Sequence, residues 1–280
     1  MLKFYGHEMA HGSILQPGII RSAFQYCTET IYVISPHLWK YWHNHTHHLH
    51  TNVPERDPDY FPPMMVEEMR DGPFAWIARR IVPGSGHWLS LINLFIQFTL
   101  QGQVVLWRDS RRWRFTGMNR RRAIIDSAGM VLFWLILALW LGAYAALLVI
   151  LIPMLSANFI IMAYVHTNHL LRPPADTPRV LDSSMSVRTC EFLDFIHLHF
   201  SHHVEHHLFP NLSHQYYPEV RKLLVRHAAE RYLAPNHWRA LRVLYSTPRV
   251  YCPSRGFVNP IDGTTLSLSS LEAQLRDGGK

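Results

Sequence analysis

Residues 127–171 read SAGMVLFWLILALWLGAYAALLVILIPMLSANFIIMAYVHTNHLL, and no Asp, Glu, Lys or Arg lies among them. A helix that crosses a bilayer needs about 20 mainly apolar residues, so two crossings fit inside this stretch. Gly142 and its neighbours mark the break, which predicts a tight helical hairpin of about residues 123–140 and 143–164. Pro153 would kink the second helix, as membranes tolerate. A buried hairpin in a large soluble core is the alternative, but such cores seldom leave so long a stretch uncharged.

The composition of the whole chain agrees with a membrane protein. Of its 280 residues, 48% are hydrophobic and only 17% charged, against about 25% charged in an ordinary soluble domain. This balance excludes a disordered chain. The three cysteines lie far apart, which predicts a reducing environment and neither a disulfide framework nor a thiolate zinc site. Packing does not require 20 histidines, so metal binding is the first function to consider.

Both flanks of the hairpin are basic. Arg172 and Arg179 follow the second helix, and a cluster precedes the first, formed by Arg108, Arg111, Arg112, Arg114, Arg120, Arg121 and Arg122. Cytoplasmic segments of membrane proteins carry an excess of Lys and Arg, so both flanks are predicted to lie in the cytoplasm. Topology and lipid headgroup binding explain these arginines, and docking of an acidic protein partner is a second interpretation.

A second apolar stretch, residues 81–107, carries no formal charge but includes several Asn and Gln residues. It could span the membrane or lie in the interface. If the histidines near residues 47 and 206 share one site, the chain between them must cross the bilayer an even number of times. The hairpin supplies two crossings, so this stretch is expected not to cross fully.

Most histidines fall into groups. The first is HEMAH, residues 7–11, in which two histidines four apart lie on one helical face. The second contains His43, His45, His47, His48 and His50, and the third contains His202, His203, His206 and His207. Within the third, residues 203, 206 and 207 have the spacing i, i+3, i+4, which gathers three imidazoles on one face. His166 and His169 form a smaller group at the end of the second membrane helix.

Neutral imidazoles are good ligands for iron and zinc. Eight or nine of them exceed the needs of one tetrahedral zinc ion, so the sequence indicates a site with two metals. Because imidazoles carry no charge, carboxylates around them would balance the cations. The candidates near the clusters are Glu8, Asp57, Asp59, Asp194 and Glu205.

The three clusters resemble the three histidine boxes of the membrane fatty acid desaturase family. HEMAHGS (residues 7–13) is similar to the first box, and WKYWHNHTHHLHTN (residues 39–52), followed by DPD (residues 57–59), is similar to the second. HVEHHLFP (residues 203–210) is similar to the third, and Tyr217-Pro218 follows it as in the family. The resemblance covers most of residues 7–226 and is specific for the superfamily, but it does not identify a substrate.

The resemblance implies a set of iron ligands: His7, His11, His43, His47, His48, His203, His206 and His207. The family has a further ligand after the second helix of such a hairpin, and we assign it to His166 rather than His169. In the second box, His45 or His50 could be a ligand instead, or hydrogen-bond to one. No catalytic residue beyond the metal ligands and no organic cofactor is expected.

The fold implied is an all-α integral membrane protein with a cytosolic, histidine-rich helical cap. Residues 1–226 would form the desaturase-like membrane domain and residues 227–280 a soluble C-terminal tail, weakly ordered from residue 260. Members of the family usually have a pair of membrane helices before the first box, and only six residues precede His7. We therefore expect the first hairpin of the family to be missing, as in a shortened, fragmentary or inactive relative.

The activity implied is desaturation of a fatty acyl chain. Two ferrous ions would activate O2 at the cytoplasmic side of the membrane and remove two hydrogens from a membrane lipid or acyl substrate. Electrons would come from a ferredoxin or cytochrome b5-type donor, and no nucleic acid partner is expected.

Three other interpretations remain. A lipid or carotenoid hydroxylase or ketolase would use the same chemistry with a different product. A membrane zinc metalloprotease would use HEMAH with Glu8 as general base, but it leaves the other two clusters unexplained. A metal-binding or transport protein without catalysis would instead place its ligands near the bilayer midplane.

Overall fold

The computed structural model describes residues 1–54, 56–60, 75–111, 115–177 and 179–276. The protein is mostly helical, with 65% helix and 4% strand, which confirms the predicted all-α fold class. It divides into two compact units, Met1–Leu49 with Leu94–Met162 and His50–Asn93 with Ala163–Lys280. Two of the predicted basic residues, Arg112 and Arg114, lie outside the described residues.

The α-helices, in chain order, are Leu2–His11 (α1), Ile19–Thr30 (α2), Pro36–Trp39 (α3), His48–His50 (α4), Ala75–Ile81 (α5), Ile92–Trp107 (α6), Arg120–Leu141 (α7), Ala143–Ala146 (α8), Ile152–His169 (α9), Val180–Ser183 (α10), Glu191–Ile196 (α11), His203–Leu208 (α12), Tyr217–His227 (α13), His237–Ser246 (α14) and Leu268–Arg276 (α15). The π-helical segments are Lys40–His47 and Leu147–Leu151, and the 3-10 turns are Trp88–Leu91, Asp109–Arg111 and His214–Tyr216. The strands are Val250–Cys252 (β1), Gly256–Val258 (β2) and Thr265–Leu266 (β3).

The predicted hairpin is confirmed as α7 followed by α8 and α9, with the break at Gly142. Gly142 has φ 76°, a left-handed conformation that glycine adopts without steric cost. The π-helical segment Leu147–Leu151 ends just before Pro153. Proline has no N–H and crowds the carbonyl four residues earlier, and a widened π turn relieves that crowding. The kink predicted at Pro153 thus coincides with a local change of helix type.

Among the residues that the structure describes, three helical segments are long and apolar enough to cross a membrane: Trp88–Arg111, Arg120–Leu141 and Ala143–His169. Only 11% of the apolar window in the second segment is buried within the protein, and 44% in the first. Exposed side chains such as Leu139 and Trp140 give α7 an apolar outer surface suited to lipid. The segment around α6 meets the same length criterion, so its failure to cross stays a prediction.

Within the first unit, polar contacts fasten α7 near its basic end. Asp126 accepts hydrogen bonds from the Tyr26 hydroxyl at 3.0 Å and the Ser35 hydroxyl at 2.6 Å. Further along, the Trp134 indole donates to the Thr30 carbonyl oxygen at 2.8 Å. A carboxylate on an apolar helix is costly unless hydrogen-bonded, so these contacts determine which face of α7 packs against α2 and α3.

A buried ion pair joins α1 to α2. Lys3 and Glu29 are 3% and 1% exposed, and Lys3 Nζ lies 2.7 Å from a Glu29 carboxylate oxygen. The same ammonium lies 3.5 Å from the centroid of the Trp39 ring, a cation–π contact. Burial raises the pKa of Glu29, and the charge of Lys3 opposes that rise. Because one ion without the other would be a buried, uncompensated charge, the pair specifies how α1 packs.

The second unit contains the small sheet, in which β1 pairs with β2 and β2 with β3, both antiparallel. Val250 lies opposite Val258, and Phe257 lies opposite Leu266. After β3, α15 buries Leu271 and Leu275, and Arg239 Nε donates to the Gln274 carbonyl at 2.6 Å. The predicted weak order from residue 260 is therefore wrong as far as residue 276. The Ser- and Thr-rich composition suggested a loose tail, but Leu271 and Leu275 lie on one face of α15 and are buried. Residues 277–280 lie outside the described part, and the boundary between residues 226 and 227 stays a prediction.

Gly84 offers a test of packing in the second unit. It has φ +75°, and a Cβ at this position would collide with the backbone carbonyl of Thr247. Gly86 has nearly the same φ, +76°, but a Cβ there would meet no atom within 4 Å. We expect Gly84→Ala to lower the free energy of unfolding by about 1–3 kcal/mol more than Gly86→Ala, measured by denaturation in detergent micelles. Equal losses of unfolding free energy in the two variants would mean that the strain of positive φ, and not the collision with Thr247, causes the destabilisation.

Candidate metal centre

The first box lies on α1, which ends at Gly12 in a left-handed cap with φ 77°. His7 and His11 are one turn apart on the same face, with ring centroids 4.8 Å apart. They are 2% and 9% exposed. Helical spacing alone accounts for this pair, as the sequence predicts.

The second box lies on the π-helical segment Lys40–His47 and the α4 turn that follows. A π-helix closes its hydrogen bonds to the fifth residue rather than the fourth, so it has about one more residue per turn than an α-helix. In an α-helix, His48 would point well away from His43. In the wider turn it returns to the same side, and the Nε2 atoms of His43 and His48 lie 3.2 Å apart.

Four histidines of the first unit form one cluster, which we call the first cluster: His7, His11, His43 and His48. Each offers a ring nitrogen within 4.8 Å of those of the others. His47 stacks on His43 with ring centroids 5.3 Å apart. By contrast, His45 is exposed and stacks on Tyr41, and His50 is partly exposed.

The third box lies on α12, where His203, His206 and His207 are all buried. His203, His207 and His169 offer ring nitrogens within 4.8 Å of one another, and we call these three the second cluster. His203 Nε2 lies 2.7 Å from His169 Nε2. The His206 ring centroid is 6.1 Å from that of His203.

His166 and His169, the two alternatives at the end of α9, have different surroundings. The sequence favoured His166 as the further ligand. His166 Nδ1 lies 3.2 Å from the Tyr245 hydroxyl oxygen, whereas His169 faces His203 and His207. Three residues along a helix amount to nearly a full turn, so spacing alone could not distinguish the two.

Both clusters fit a bound metal ion by distance. Two imidazole nitrogens bound about 2.1 Å from one ion lie roughly 3 Å apart. The separations of 3.2 Å between His43 and His48 and 2.7 Å between His169 and His203 are of this size. Nitrogen donors in this number suit iron or zinc rather than magnesium or calcium.

Three of the candidate ligand rings are oriented by a polar side chain that contacts their Nδ1 atom. Glu8 Oε1 lies 3.2 Å from Nδ1 of His7, Thr51 Oγ1 lies 3.2 Å from Nδ1 of His207, and the Tyr217 hydroxyl lies 3.0 Å from Nδ1 of His206. Such contacts fix the tautomer and ring orientation of metal-binding histidines, with Nε2 available as the ligand atom. Glu8 is itself held by the Ser13 hydroxyl at 2.6 Å.

Burial keeps His7, His11 and His43 of the first cluster neutral. Burial, followed by the charge of neighbouring His11, holds the pKa of His7 well below its ordinary value. Burial and then His47 lower the pKa of His11 to about 3, and burial and then His48 lower that of His43. A metal ligand must be an unprotonated imidazole, so these rings require no further deprotonation near neutral pH.

Glu205 lies between ligand candidates on α12 but binds other partners. It is fully buried, and its carboxylate accepts hydrogen bonds from Arg221 Nε at 2.9 Å, the Tyr232 hydroxyl at 2.6 Å and the Ser186 hydroxyl at 2.5 Å. Burial alone would raise its pKa, but hydrogen bonding to His202 and the charge of Arg221 outweigh burial and lower the pKa to about 2. Glu205 is therefore ionised and fastens α12 to the surrounding chain.

Asp57 and Asp194, two of the other carboxylate candidates, stabilise loops. Asp57 accepts backbone N–H bonds from Asn52 at 2.7 Å and Asp59 at 2.8 Å. Asp194 accepts from the Thr189 hydroxyl at 2.9 Å and from the Ser201 hydroxyl. Asn52 donates to the His169 carbonyl oxygen at 3.1 Å, which ties the end of the second box to the end of α9.

The hydroxyl partners Thr51, Tyr217 and Tyr245 were not identified from the sequence as contacts of histidines. Thr51 and Tyr217 did stand out as family landmarks, the Thr-Asn after the second box and the Tyr-Pro after the third. No local pattern links Tyr217 to His206, because the 3-10 turn His214–Tyr216 sets their approach.

Tyr217→Phe should weaken metal binding. The substitution removes the hydroxyl beside His206 and keeps the buried ring, and loss of such an outer partner typically lowers metal affinity about 10–100-fold. Tyr216→Phe is the matched control, because Tyr216 is 52% exposed. Competitive titration with a chromophoric chelator measures both. Equal affinities for the two variants would contradict an orienting role for Tyr217.

Comparison with known proteins agrees with this geometry. A family model described as fatty acid desaturase matches residues 1–240, which include all three boxes and the hairpin. No curated protein matches the chain.

Proposed function

Because the chain belongs to the fatty acid desaturase family, we propose that it is a membrane-bound di-iron oxygenase that introduces a double bond into a fatty acyl chain. The observation that carries the proposal is the pair of histidine clusters in a chain whose helices are apolar enough to span a membrane. The family and the clusters together support an oxidoreductase of the desaturase and hydroxylase type.

We assign the ligands by cluster. His7, His11, His43 and His48 would hold one ion, and His169, His203 and His207 would hold the other. His47 and His206 stay ligand candidates without assignment to either ion. His169 replaces His166 in this proposal, because its ring nitrogen lies among those of His203 and His207. Two ferrous ions, reduced by a ferredoxin or cytochrome b5-type donor, would supply O2 activation and the removal of one hydrogen from each of two adjacent carbons.

The residues of the chain would orient the ligands and keep water away. Trp39 stacks on His43 with ring centroids 4.4 Å apart and planes 11° apart, which fixes the imidazole plane. Glu8, Thr51 and Tyr217 hold Nδ1 of their histidines. An alkyl carbon has no acidic proton, so no side chain is needed as a general base, and the apolar helices would present the substrate.

We further propose that the centre lies on the cytoplasmic side. Arg120, Arg121 and Arg122 begin α7, and Arg172 follows α9, so the sequence at both outer ends of the hairpin carries positive charge. Arg121 and Arg122, which are exposed, could also receive an acidic electron donor.

The function is tested with the full chain purified anaerobically in detergent. Iron would be counted per chain and its coupling measured by Mössbauer spectroscopy, and lipids of an expressing host would be profiled by mass spectrometry. We expect two coupled irons and new unsaturation in the host lipids. Bound zinc without iron, and unchanged lipids, would contradict the proposal.

His43→Ala, compared with His45→Ala, tests which histidines of the second box bind metal. Loss of this buried ring should abolish coupled iron and new double bonds, because no neighbour can replace a ligand at fixed geometry. His45→Ala is the control, since His45 is exposed on the same π-helical segment. Equal loss in both variants would mean that the proposed register of the second box is wrong.

The same lipid analysis distinguishes the rivals. A hydroxylase or ketolase of the superfamily would give a product with added oxygen rather than a double bond. A zinc protease would need Glu8 as a base, but Glu8 contacts His7 and Ser13, which suits an orienting carboxylate better.

A further inference from the structure

A cavity of about 330 Å³ lies in the second unit, and none of the clustered histidines lines it. Its walls come from α13, the segment after it and the end of α15. Three arginines line the cavity, Arg188, Arg221 and Arg276. Apolar side chains that line it include Val225, Leu233 and Leu275. The volume is within the range of small-ligand sites, about 300–1,000 Å³.

Arg221 is fixed and already paired. Its Nε donates to Glu205 at 2.9 Å, and its Nη2 donates to the carbonyl oxygens of Val187 at 3.1 Å and Ser201 at 3.2 Å. Since Glu205 is ionised, this arginine adds little net charge to the cavity. Arg221 is therefore a fixed part of the cavity wall, which Arg188 and Arg276 also line.

The charges of the other two arginines are not balanced in the described part of the chain. Arg276 donates to the carbonyl oxygens of Ala229 and Glu230, which carry no formal charge. Arg188 is exposed, and its guanidinium makes no hydrogen bond or ion pair with any described residue.

Two acidic groups of the neighbouring elements are engaged with other cations, whereas Glu230, next to the lining residue Ala229, is exposed. Asp182 on α10 pairs with Arg231 at 2.7 Å, and Glu272 on α15 pairs with Arg172 at 3.2 Å. The cavity therefore gathers positive charge that these carboxylates do not neutralise.

From this arrangement we propose that the cavity binds a phosphate monoester that carries a short apolar group. Planar guanidinium groups bind phosphate with paired, charge-assisted hydrogen bonds, and Arg188 and Arg276 supply two of them. Val225, Leu233 and Leu275 supply an apolar wall for the rest of the ligand. The phosphate could belong to a soluble molecule or to a lipid headgroup, because the recognition chemistry is the same.

The test measures binding to the full chain. Inorganic phosphate and n-butyl phosphate are titrated calorimetrically in neutral detergent, and phosphatidic acid is compared with phosphatidylcholine in nanodiscs. Arg188→Gln should weaken binding about tenfold or more, the size expected for loss of a charge-assisted hydrogen bond. Arg226→Gln on α13 is the control, since Arg226 is exposed and does not line the cavity.

Each outcome decides the proposal. Binding of n-butyl phosphate that is lost in Arg188→Gln supports a soluble ligand, and binding of phosphatidic acid alone with the same loss supports a lipid headgroup. No binding of any phosphate probe overturns the proposal, as does equal weakening by both variants, which would indicate general surface charge. Unfolding midpoints of both variants should equal that of the parent, because Arg188 has no described side-chain partner to lose. Iron content and lipid products test the proposed function separately.

Discussion

His169→Ala should remove the ion of the second cluster, and His166→Ala should leave it bound. His169 Nε2 lies 2.7 Å from His203 Nε2, so its loss removes a proposed ligand and should lower metal affinity by more than about 100-fold. His166→Ala removes a contact with the Tyr245 hydroxyl, and His166 is not among the ring nitrogens grouped with His203 and His207. Iron per chain after anaerobic purification measures the difference, with one ion expected in place of two for His169→Ala.

The two variants are well matched. Both residues are at most 2% exposed, both lie at the end of α9, and each substitution removes one imidazole. A general loss of packing would therefore affect both proteins alike. Full iron in His169→Ala and reduced iron in His166→Ala would restore the original assignment of His166.

Glu205→Gln should be the most destabilising single exchange of a charged residue around the third box. The glutamine keeps the shape of the side chain but leaves the Arg221 guanidinium without its buried counter-ion. Breaking a buried ion pair by removal of one partner costs about 3–5 kcal/mol. Denaturation in micelles followed by tryptophan fluorescence would report the lower free energy of unfolding.

Glu219→Gln is the control for Glu205→Gln. Glu219 pairs with Lys222 at 2.7 Å, but their side chains are 68% and 71% exposed. Surface ion pairs of this kind contribute about 0–1 kcal/mol. Similar losses of unfolding free energy in the two variants would show that the buried Glu205–Arg221 pair stabilises the fold no more than a surface pair.

The contribution of ionised Glu205 to stability should also appear when the protein is unfolded at decreasing pH. The pKa of Glu205 is lowered in the folded protein from 4.5 to about 2. A lowered carboxyl pKa stabilises the fold above the unfolded value, and that stability is lost as the pH falls from 4.5 towards 2. Glu205→Gln should remove this part of the acid dependence.

The membrane hairpin and the three boxes could be predicted because their signals are local. An uncharged stretch of sufficient length specifies a membrane helix wherever it packs, and Gly142 marks a break that any hairpin would need. Spacings of three and four residues likewise place His7 with His11 and the histidines of α12 on one face. The tail shows the limit of such reasoning, since α15 is stabilised by Leu271 and Leu275, whose burial depends on partners distant in sequence.

The sequence by itself determined the helical membrane architecture and the three groups of candidate ligands, because hydrophobicity and helical periodicity act over a few turns. Only the tertiary structure decided that His48 turns back to His43 through a π-helical segment, that His169 rather than His166 meets His203, and that Tyr217 holds His206. These placements depend on the helix type chosen under packing and on contacts between side chains far apart along the chain, and neither is encoded in local spacing.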